Sequence, residues 1–322
     1  MLCLQSNHQH ASFNLAMEEY LLKEFNEDVF FMYRNDASVI VGKHQNAHAE
    51  SNALFLHQSG IPLYRRISGG GTVFHDLGNL NYGFIGRTQA AAQVSFNRFS
   101  EIIIQFLSTL GIEAYQNQRN SIETHGLKIS GTAEHIFKNC VLHHGTLLFS
   151  SQLDVLSKAL ASHHERYRHK AVESVRSKVC NIADCLSKPM EINEFSELLM
   201  NFMLKYAADN SIYHLKPDDI EKIEALGKQR YVQWEWNYGY SPAYAYEHDW
   251  EYQNRIQRIS FEVKDGIFQH YELEITFLSS EIVRQIELTL IQHPQDIERM
   301  EKALDSLSIE KNYIDEIIKH SF

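Results

Sequence analysis

Arg65-Arg66-Ile67-Ser68-Gly69-Gly70-Gly71-Thr72-Val73-Phe74-His75-Asp76 carries the strongest local signal in the chain. Three consecutive glycines strip every Cβ from a stretch of backbone, so neighbouring N–H groups can converge on an anion. Arg66 beside them offers a planar, permanently charged fork for phosphate or carboxylate. A simple hairpin turn is the commoner explanation of Ser-Gly-Gly-Gly, so the segment is a weak signal by itself. The pattern is neither GxGxxG nor GxxxxGK[ST], so the dinucleotide and P-loop readings gain nothing from it.

Downstream, Arg119-Asn120-Ser121 precedes Gly126-Leu-Lys128-Ile-Ser130-Gly131-Thr132-Ala133. Lys128 sits in a short β-like run, where an ammonium group is ordinarily solvated. Ser130-Gly131 follows at once, placing open backbone beside a flexible point charge, which suits a centre whose charge changes during reaction. A third segment, His143-His144-Gly145-Thr146, reads as part of a strand over Val141–Phe149. Strand periodicity sends the two rings to opposite faces, so only one can enter a given cleft. Eighteen histidines are present, but no HExxH, HxxxEH or Cys-rich pattern, and no metal site is expected.

Around these segments the coarse reading alternates helix and strand. Asn14–Phe25 reads as a helix capped by Ser12 or Asn14. Val29–Tyr33, Ser38–Val41, Ile61–Tyr64 and Asn79–Ile85 read as strands. Phe96, Phe99, Ile102, Ile103, Phe106 and Leu110 recur at helical spacing, with Gly111 as a stop. Helices are expected from about Asp154, near Glu194–Tyr206 and over Pro217–Leu226, before an aromatic knot at Trp234–Pro242. Beyond it, Arg255–Val263 and Ile267–Thr276 read as a hairpin turning at Asp265-Gly266. Helices follow around Glu281–Ile291, Asp296–Leu304 and Glu310–His320. A hairpin followed by helices suggests a separate small α+β unit. The division expected is 1–247 and 248–322.

The 322 residues allow one large domain or a large and a small one. With 30 Lys+Arg against 41 Asp+Glu, the net charge of −11 argues against extended nucleic-acid binding, which needs basic patches. No apolar run approaches the roughly 18–20 residues that span a bilayer, and no secretory signal is visible, so no membrane association and a cytoplasmic location are expected. Cys3, Cys140, Cys180 and Cys185 form no CxxC pair and read as reduced thiols.

Taken jointly, RRISGGGTVFHDLGNLNYGFI, KISGTAEHIFKNCVLHHGTLL and VESVRSKVCNI resemble the lipoate–protein ligase family in order and spacing. NLAMEEYLL, YRNDASVIVGKHQNAHAESN and WEWNYGYSP extend the resemblance over roughly residues 10–245. It implies an α+β fold: a large mixed-sheet domain similar to the biotin/lipoate ligase catalytic domain, with a small C-terminal accessory domain. It also implies ATP and lipoate as substrates, Mg²⁺, and an acceptor lysine on a lipoyl domain. That domain would belong to a 2-oxoacid dehydrogenase acyltransferase subunit or the glycine-cleavage H protein.

By the same resemblance Lys128 is the essential lysine. Arg66, Ser68 and the loop Gly70, Gly71, Thr72, Val73 and Phe74 would hold carboxylate and phosphate, with His75 lining the loop. Asn79 and Asn120 would lie near the nucleotide. Ser130, Gly131, His144, Gly145 and Thr146 would close the pocket, and Tyr33 would flank the lipoyl chain. One position departs: the family's Gly-Arg-Asn-Asp reads here Gln118-Arg119-Asn120-Ser121. Ser121 offers no charge to Mg²⁺, which implies weaker metal dependence or ATP affinity. The alternatives are an ATP-independent octanoyl or lipoyl transferase of the same fold, which needs a cysteine nucleophile, and a non-catalytic lipoate-binding protein.

Overall fold

The computed structural model describes residues 1–87 and 97–322. Phe96, expected to open the amphipathic helix, lies outside the described residues; the rest of that helix is present as Asn97–Thr109. Contacts gather the chain into two compact units. The first comprises Met1–Lys43, Leu63–Ser157 and Ser174–Val232; the second comprises His44–Pro62, Lys158–Glu173 and Gln233–Phe322.

The first unit is built on a six-stranded mixed sheet. Its order is Thr132–Phe137, Cys140–Leu148, Asn79–Arg87, Val29–Tyr33, Leu2–Gln5 and Ser211–Ile212. The first four strands pair antiparallel, and the last two join in parallel. Alternation of side chains gives the sheet two chemically different faces. Phe30, Met32, Leu80, Tyr82, Phe84 and Leu147 point to one face. There they form a core with the helices Asn97–Thr109 and Ile192–Tyr206.

The helix Ala11–Glu24 is buried continuously from Ala11 to Leu22. It therefore lacks the polar stripe that a surface helix shows. The expected Ser12 or Asn14 cap is not formed: the N-cap is His10, with no side-chain capping bond. Asn14 is drawn into a tertiary network instead. Its amide donates to Asn35 Oδ1 (2.8 Å) and His8 O (2.8 Å), while its carbonyl accepts from Ser6 Oγ (2.8 Å). Glu19, equally buried, accepts from Lys23, Arg230 and the Tyr231 hydroxyl. Burial alone would raise its carboxyl pKa, but these partners hold it below the ordinary value.

Two small three-stranded sheets are inserted in sequence between strands of the large one. Ser38–Val41 pairs in parallel with Leu63–Arg65 and antiparallel with Val73–His75, and so brackets the glycine segment. Tyr115–Gln116, Ile122–Thr124 and Leu127–Ser130 form a second, which carries Lys128.

The second unit holds a four-stranded antiparallel sheet, Tyr167–His169, Tyr244–Tyr252, Arg255–Lys264 and Ile267–Glu274. Three helices, Ser280–Leu290, Ile297–Asp305 and Lys311–His320, close a core around Tyr246, Phe261 and Tyr271. The hairpin turns at Asp265 and Gly266, both at positive φ (51° and 73°), as a type I′ turn requires. The boundary drawn from the sequence at 247/248 falls inside the strand Tyr244–Tyr252. That strand pairs with Tyr167–His169, so the unit's sheet gathers a segment far upstream of the tail. Among the described residues, no helix is long and apolar enough to cross a membrane.

Candidate active site

The second face of the large sheet carries the polar chemistry. Register places Tyr33, Asn81 and Thr146 side by side, and Phe31, Gly83 and His144 in the next row. Gly83 is dictated by its neighbour: a Cβ there would lie 2.1 Å from the Phe31 ring. Phe31 and Tyr33 stack along the strand, giving this face an aromatic floor.

The Ala11–Glu24 helix brings Glu18 to this floor. The Tyr33 hydroxyl donates to Glu18 Oε1 at 2.8 Å. His144 Nδ1 lies 3.0 Å and 2.8 Å from the two oxygens of the same carboxylate. On its other side, His144 Nε2 is 2.6 Å from Ser68 Oγ, which accepts from Arg66 Nε at 2.9 Å. One assignment satisfies the whole row: Nδ1–H donates to Glu18, and Nε2 accepts from the Ser68 hydroxyl. A relay from Tyr33 through Glu18, His144 and Ser68 thus ends at Arg66. Its members are all buried.

Arg66 organises the glycine segment. Its Nη2 donates to Gly69 O (2.6 Å) and Gly71 O (2.8 Å), and Nη1 donates to Ile40 O (3.2 Å). With the bond to Ser68, four of its five N–H groups have protein acceptors. In a trans peptide C=O and the following N–H point opposite ways. Two carbonyls turned toward the guanidinium therefore turn the amides of Gly70 and Thr72 away from it. The Thr72 amide meets Ser174 Oγ at 2.8 Å. Gly70 sits at φ +85°, and a Cβ there would approach Arg66 Nη2 to 3.0 Å. Burial lowers the Arg66 pKa to about 10, against the upward pull of Glu18 and Tyr33, so the charge persists at neutral pH.

His75 closes the row at Val73–His75. Its Nδ1 lies 3.0 Å from Asn35 Nδ2, and burial, with Arg66 and His144 nearby, pushes its pKa down to about 3. It is a neutral acceptor for the Asn35 amide. Asn79 Nδ2 donates to Asn81 Oδ1 at 3.0 Å, leaving Asn79 Oδ1 and Asn81 Nδ2 buried without partners among the described residues. Such orphaned atoms in a folded protein mark a place where a ligand or water completes the bonding.

Lys128 stands opposite these groups in chemistry. Its strand is pinned to the 178–180 segment: the Lys128 amide donates to Lys178 O (2.9 Å), and its carbonyl accepts from the Cys180 amide (3.2 Å). Gly131 gives its side chain room, because a Cβ at 131 would sit 3.1 Å from both Cε and Nζ. Among the described residues, Nζ has no hydrogen-bond or ion-pair partner. Burial and then the Arg66 charge lower its pKa, while Glu123, paired with it across the strands, pulls it up. Gly131 and Thr146 exchange bonds, Thr146 N to Gly131 O (3.0 Å) and Gly131 N to Thr146 Oγ1 (3.2 Å). Gly145 must be bare, since a Cβ would meet Tyr82 Oη at 2.8 Å and Gly131 O at 2.9 Å.

Asn120 and Ser121 occupy a tight turn. Asn120 adopts φ 61°, and Asn117 Oδ1 accepts from the amides of Arg119 (2.9 Å) and Ser121 (3.0 Å). The Asn120 carbonyl accepts from Thr132 Oγ1 at 2.6 Å, and Ser121 is buried.

A partly buried, unpaired ammonium beside two small-residue loops is an arrangement for an anion, since a buried charge needs an opposite charge or strong acceptors. Over residues 10–203 the chain matches the family model described as the lipoyl protein ligase A/B catalytic domain. It is 37% identical over 309 residues to lipoate–protein ligase 1 of Staphylococcus aureus, covering 95% of this chain and 94% of that one. The chain belongs to the lipoate–protein ligase family. Its fold is similar to that of P. falciparum LipL1, solved in complex with lipoate (TM-score 0.64, 23% identity, 98% of each chain covered). It is also similar to that of lipoate-protein ligase A bound with ATP (TM-score 0.63, 24% identity, 74% of this chain and all of that one).

Several residues of this candidate site were not assigned to it from the sequence. Glu18 and Asn14 were hidden in the helix motif, although polar residues four apart on a wholly buried helix are the signal that could have found them. Asn35 read only as a turn former. Glu123 and Ser174 carried no pattern of their own.

Proposed function

We propose that this lipoate–protein ligase family member activates lipoate with ATP and transfers it to the ε-amine of a lysine on a lipoyl domain. Lys128 carries the reading: a lysine held partly buried, with no counter-ion among the described residues, beside the open backbone of Ser130-Gly131. In the first step a lipoate carboxylate oxygen attacks the α-phosphorus of ATP, the bond to the β-phosphate oxygen breaks, and pyrophosphate leaves. Two anions must approach, and the Lys128 ammonium offsets their charge with the outward amide of Gly70. In the second step the acceptor amine attacks the lipoyl carbonyl, the carbonyl–phosphate oxygen bond breaks, and AMP leaves. The amine's proton passes to solvent or to AMP. Positioning and charge stabilisation do the work, without a covalent enzyme intermediate.

In this reading Tyr33 and the Phe31 floor flank the lipoyl chain, and the relay through Glu18, His144 and Ser68 fixes the loop that receives the anions. Arg66 acts chiefly through the loop, with one N–H left for a ligand. Val73, Phe74 and His75 continue the same wall, while Asn79, Asn120 and Ser121 face the nucleotide side, with Gly145 and Thr146 closing behind Lys128.

Mg²⁺ would accompany ATP. Asp76 is engaged by the amides of Gly78 and Gln152, and Glu123 by Asn117 and Tyr115. With those carboxylates occupied, the ion would be held mainly by phosphate oxygens and water, its usual preference. Acceptors are lipoyl domains of 2-oxoacid dehydrogenase acyltransferase subunits or the glycine-cleavage H protein. The setting is cytoplasmic, without nucleic acid or membrane.

The cysteine chemistry of an acyl-transferase finds little support. Burial, with Cys185 beside it, pushes the Cys180 thiol up to about 11, and burial raises that of Cys3. The deciding experiment is mass spectrometry of an apo lipoyl domain incubated with the protein, lipoate, ATP and Mg²⁺. A lipoyl-sized gain that requires ATP and is lost in Lys128→Ala is expected. Octanoyl transfer from an acyl-carrier donor without ATP would move the assignment to the transferase.

A further inference from the structure

A cluster of His164, His169 and Glu173 lies wholly within the second unit, outside the residues assigned to ligation. The spacing matches no familiar zinc motif, and no metal site is expected from the residue pattern. Folding nevertheless brings one potential ligand atom from each residue within 4.8 Å of the others. His164 opens the 3-10 turn His164–Arg166, and His169 ends the strand Tyr167–His169. That strand is anchored antiparallel to Tyr244–Tyr252, with His169 opposite Tyr244. The two rings are half-buried, and Glu173 is exposed and free to turn.

One detail favours a ligand over a purely structural cluster. Among the described residues, His164 Nδ1 is buried with no hydrogen-bond partner. We propose that His164, His169 and Glu173 form a site for one divalent transition-metal ion of the Zn²⁺ class. Two imidazoles and one carboxylate with an open fourth position for water is a donor set that suits borderline-soft ions and not Mg²⁺.

The geometry sets a condition on binding. Zn–ligand bonds of about 2.0–2.1 Å put tetrahedral ligand atoms roughly 3.4 Å apart. The cluster must therefore contract, and the exposed Glu173 side chain can supply much of that movement. His169 Nδ1 now accepts from the Ala171 amide at 3.1 Å. A neutral imidazole has a single lone pair to give. Whichever nitrogen ligates, the Ala171 amide loses its acceptor, so metal binding and the backbone at Ala171 are coupled.

The test is titration of the metal-free full chain with ZnCl₂ against a chromophoric chelator, with stoichiometry read by native mass spectrometry. One tight Zn²⁺ per chain is expected, with excess Mg²⁺ unable to displace it. His164→Ala and Glu173→Gln should each weaken binding by about 100-fold. Glu173 is exposed, so its variant folds normally and keeps the test sound if His164→Ala does not. On loading, hydrogen exchange at Ala171 should quicken. Absence of a tight equivalent, or one that survives both substitutions, would overturn the site and leave only scattered surface histidines.

Discussion

The Glu18 carboxylate and His144 Nδ1 stand 2.8 Å apart at their closest, although 126 residues separate them in the chain. The pair fixes the ring so that Nε2 faces Ser68, and through Ser68 it reaches the arginine that shapes the glycine loop. Glu18→Gln keeps the size but presents an amide that must satisfy both Tyr33 and His144. We expect a raised KM for lipoate and ATP with a folded protein. Glu18→Ala should leave two buried donors unmet and cost about 2–4 kcal/mol. Thermal unfolding together with steady-state kinetics checks both; an unchanged KM in Glu18→Gln would remove the relay from the function.

Gly131→Ala is the sharpest steric test. Its Cβ would stand 3.1 Å from Lys128 Nζ and must push the ammonium aside. Adenylate formation should fall by about 100-fold, as expected for misplacing a reacting group by roughly 1 Å. The melting temperature should change little, since the displaced atoms end a flexible side chain. Pyrophosphate release with lipoate and ATP alone isolates this step.

The alkaline limb of the activity profile should report Lys128. Burial and Arg66 lower its pKa, so the ammonium is lost at lower pH than for an ordinary lysine. Activity should decline as pH rises through that lowered value. The stability effect has the opposite sense: keeping the charge buried is a penalty below the folded pKa. That penalty is relieved as pH rises from the folded toward the unfolded value. Lys128→Ala should flatten the stability trend, and urea unfolding across alkaline pH measures it.

His75 supplies an acid-side counterpart. Its folded pKa of about 3 lies below the ordinary histidine value, so the unfolded chain takes up a proton that the folded one refuses. Stability contributed by the neutral ring is complete above about pH 6.5 and is lost progressively as pH falls toward 3. His75→Asn should therefore show a shallower loss of stability over that window, read from denaturant midpoints.

Ser121→Asp places a carboxylate at a buried turn position. ATP should bind more tightly and Mg²⁺ dependence should steepen, because an anionic oxygen can then join the metal's ligands. If ATP and Mg²⁺ titrations are unchanged, Ser121 has no bearing on the nucleotide.

The local pattern revealed the strands Val29–Tyr33 and Asn79–Ile85, the helix that includes Phe99 and Phe106, and the hairpin at Asp265-Gly266, because each has its own period or turn chemistry. It was less informative where a residue's partner lies far along the chain. Asn14 looks like a helix cap in isolation, yet Ser6, His8 and Asn35 claim its amide. Arg66 looks like a free fork for an anion, yet the carbonyls it turns inward occupy most of its donors.

The glycine segment, the lysine strand, the alternation that sends His143 and His144 to opposite faces and, through their joint order, the family are legible in the residues alone. Only the tertiary structure decided that Glu18 faces His144, that Gly131 is empty for the sake of Lys128, and that the C-terminal sheet draws in Tyr167–His169. The physical reason is range. Periodicity and turn propensity act over a few residues, whereas buried hydrogen bonds and close approaches are settled by which distant segments the packed core brings together.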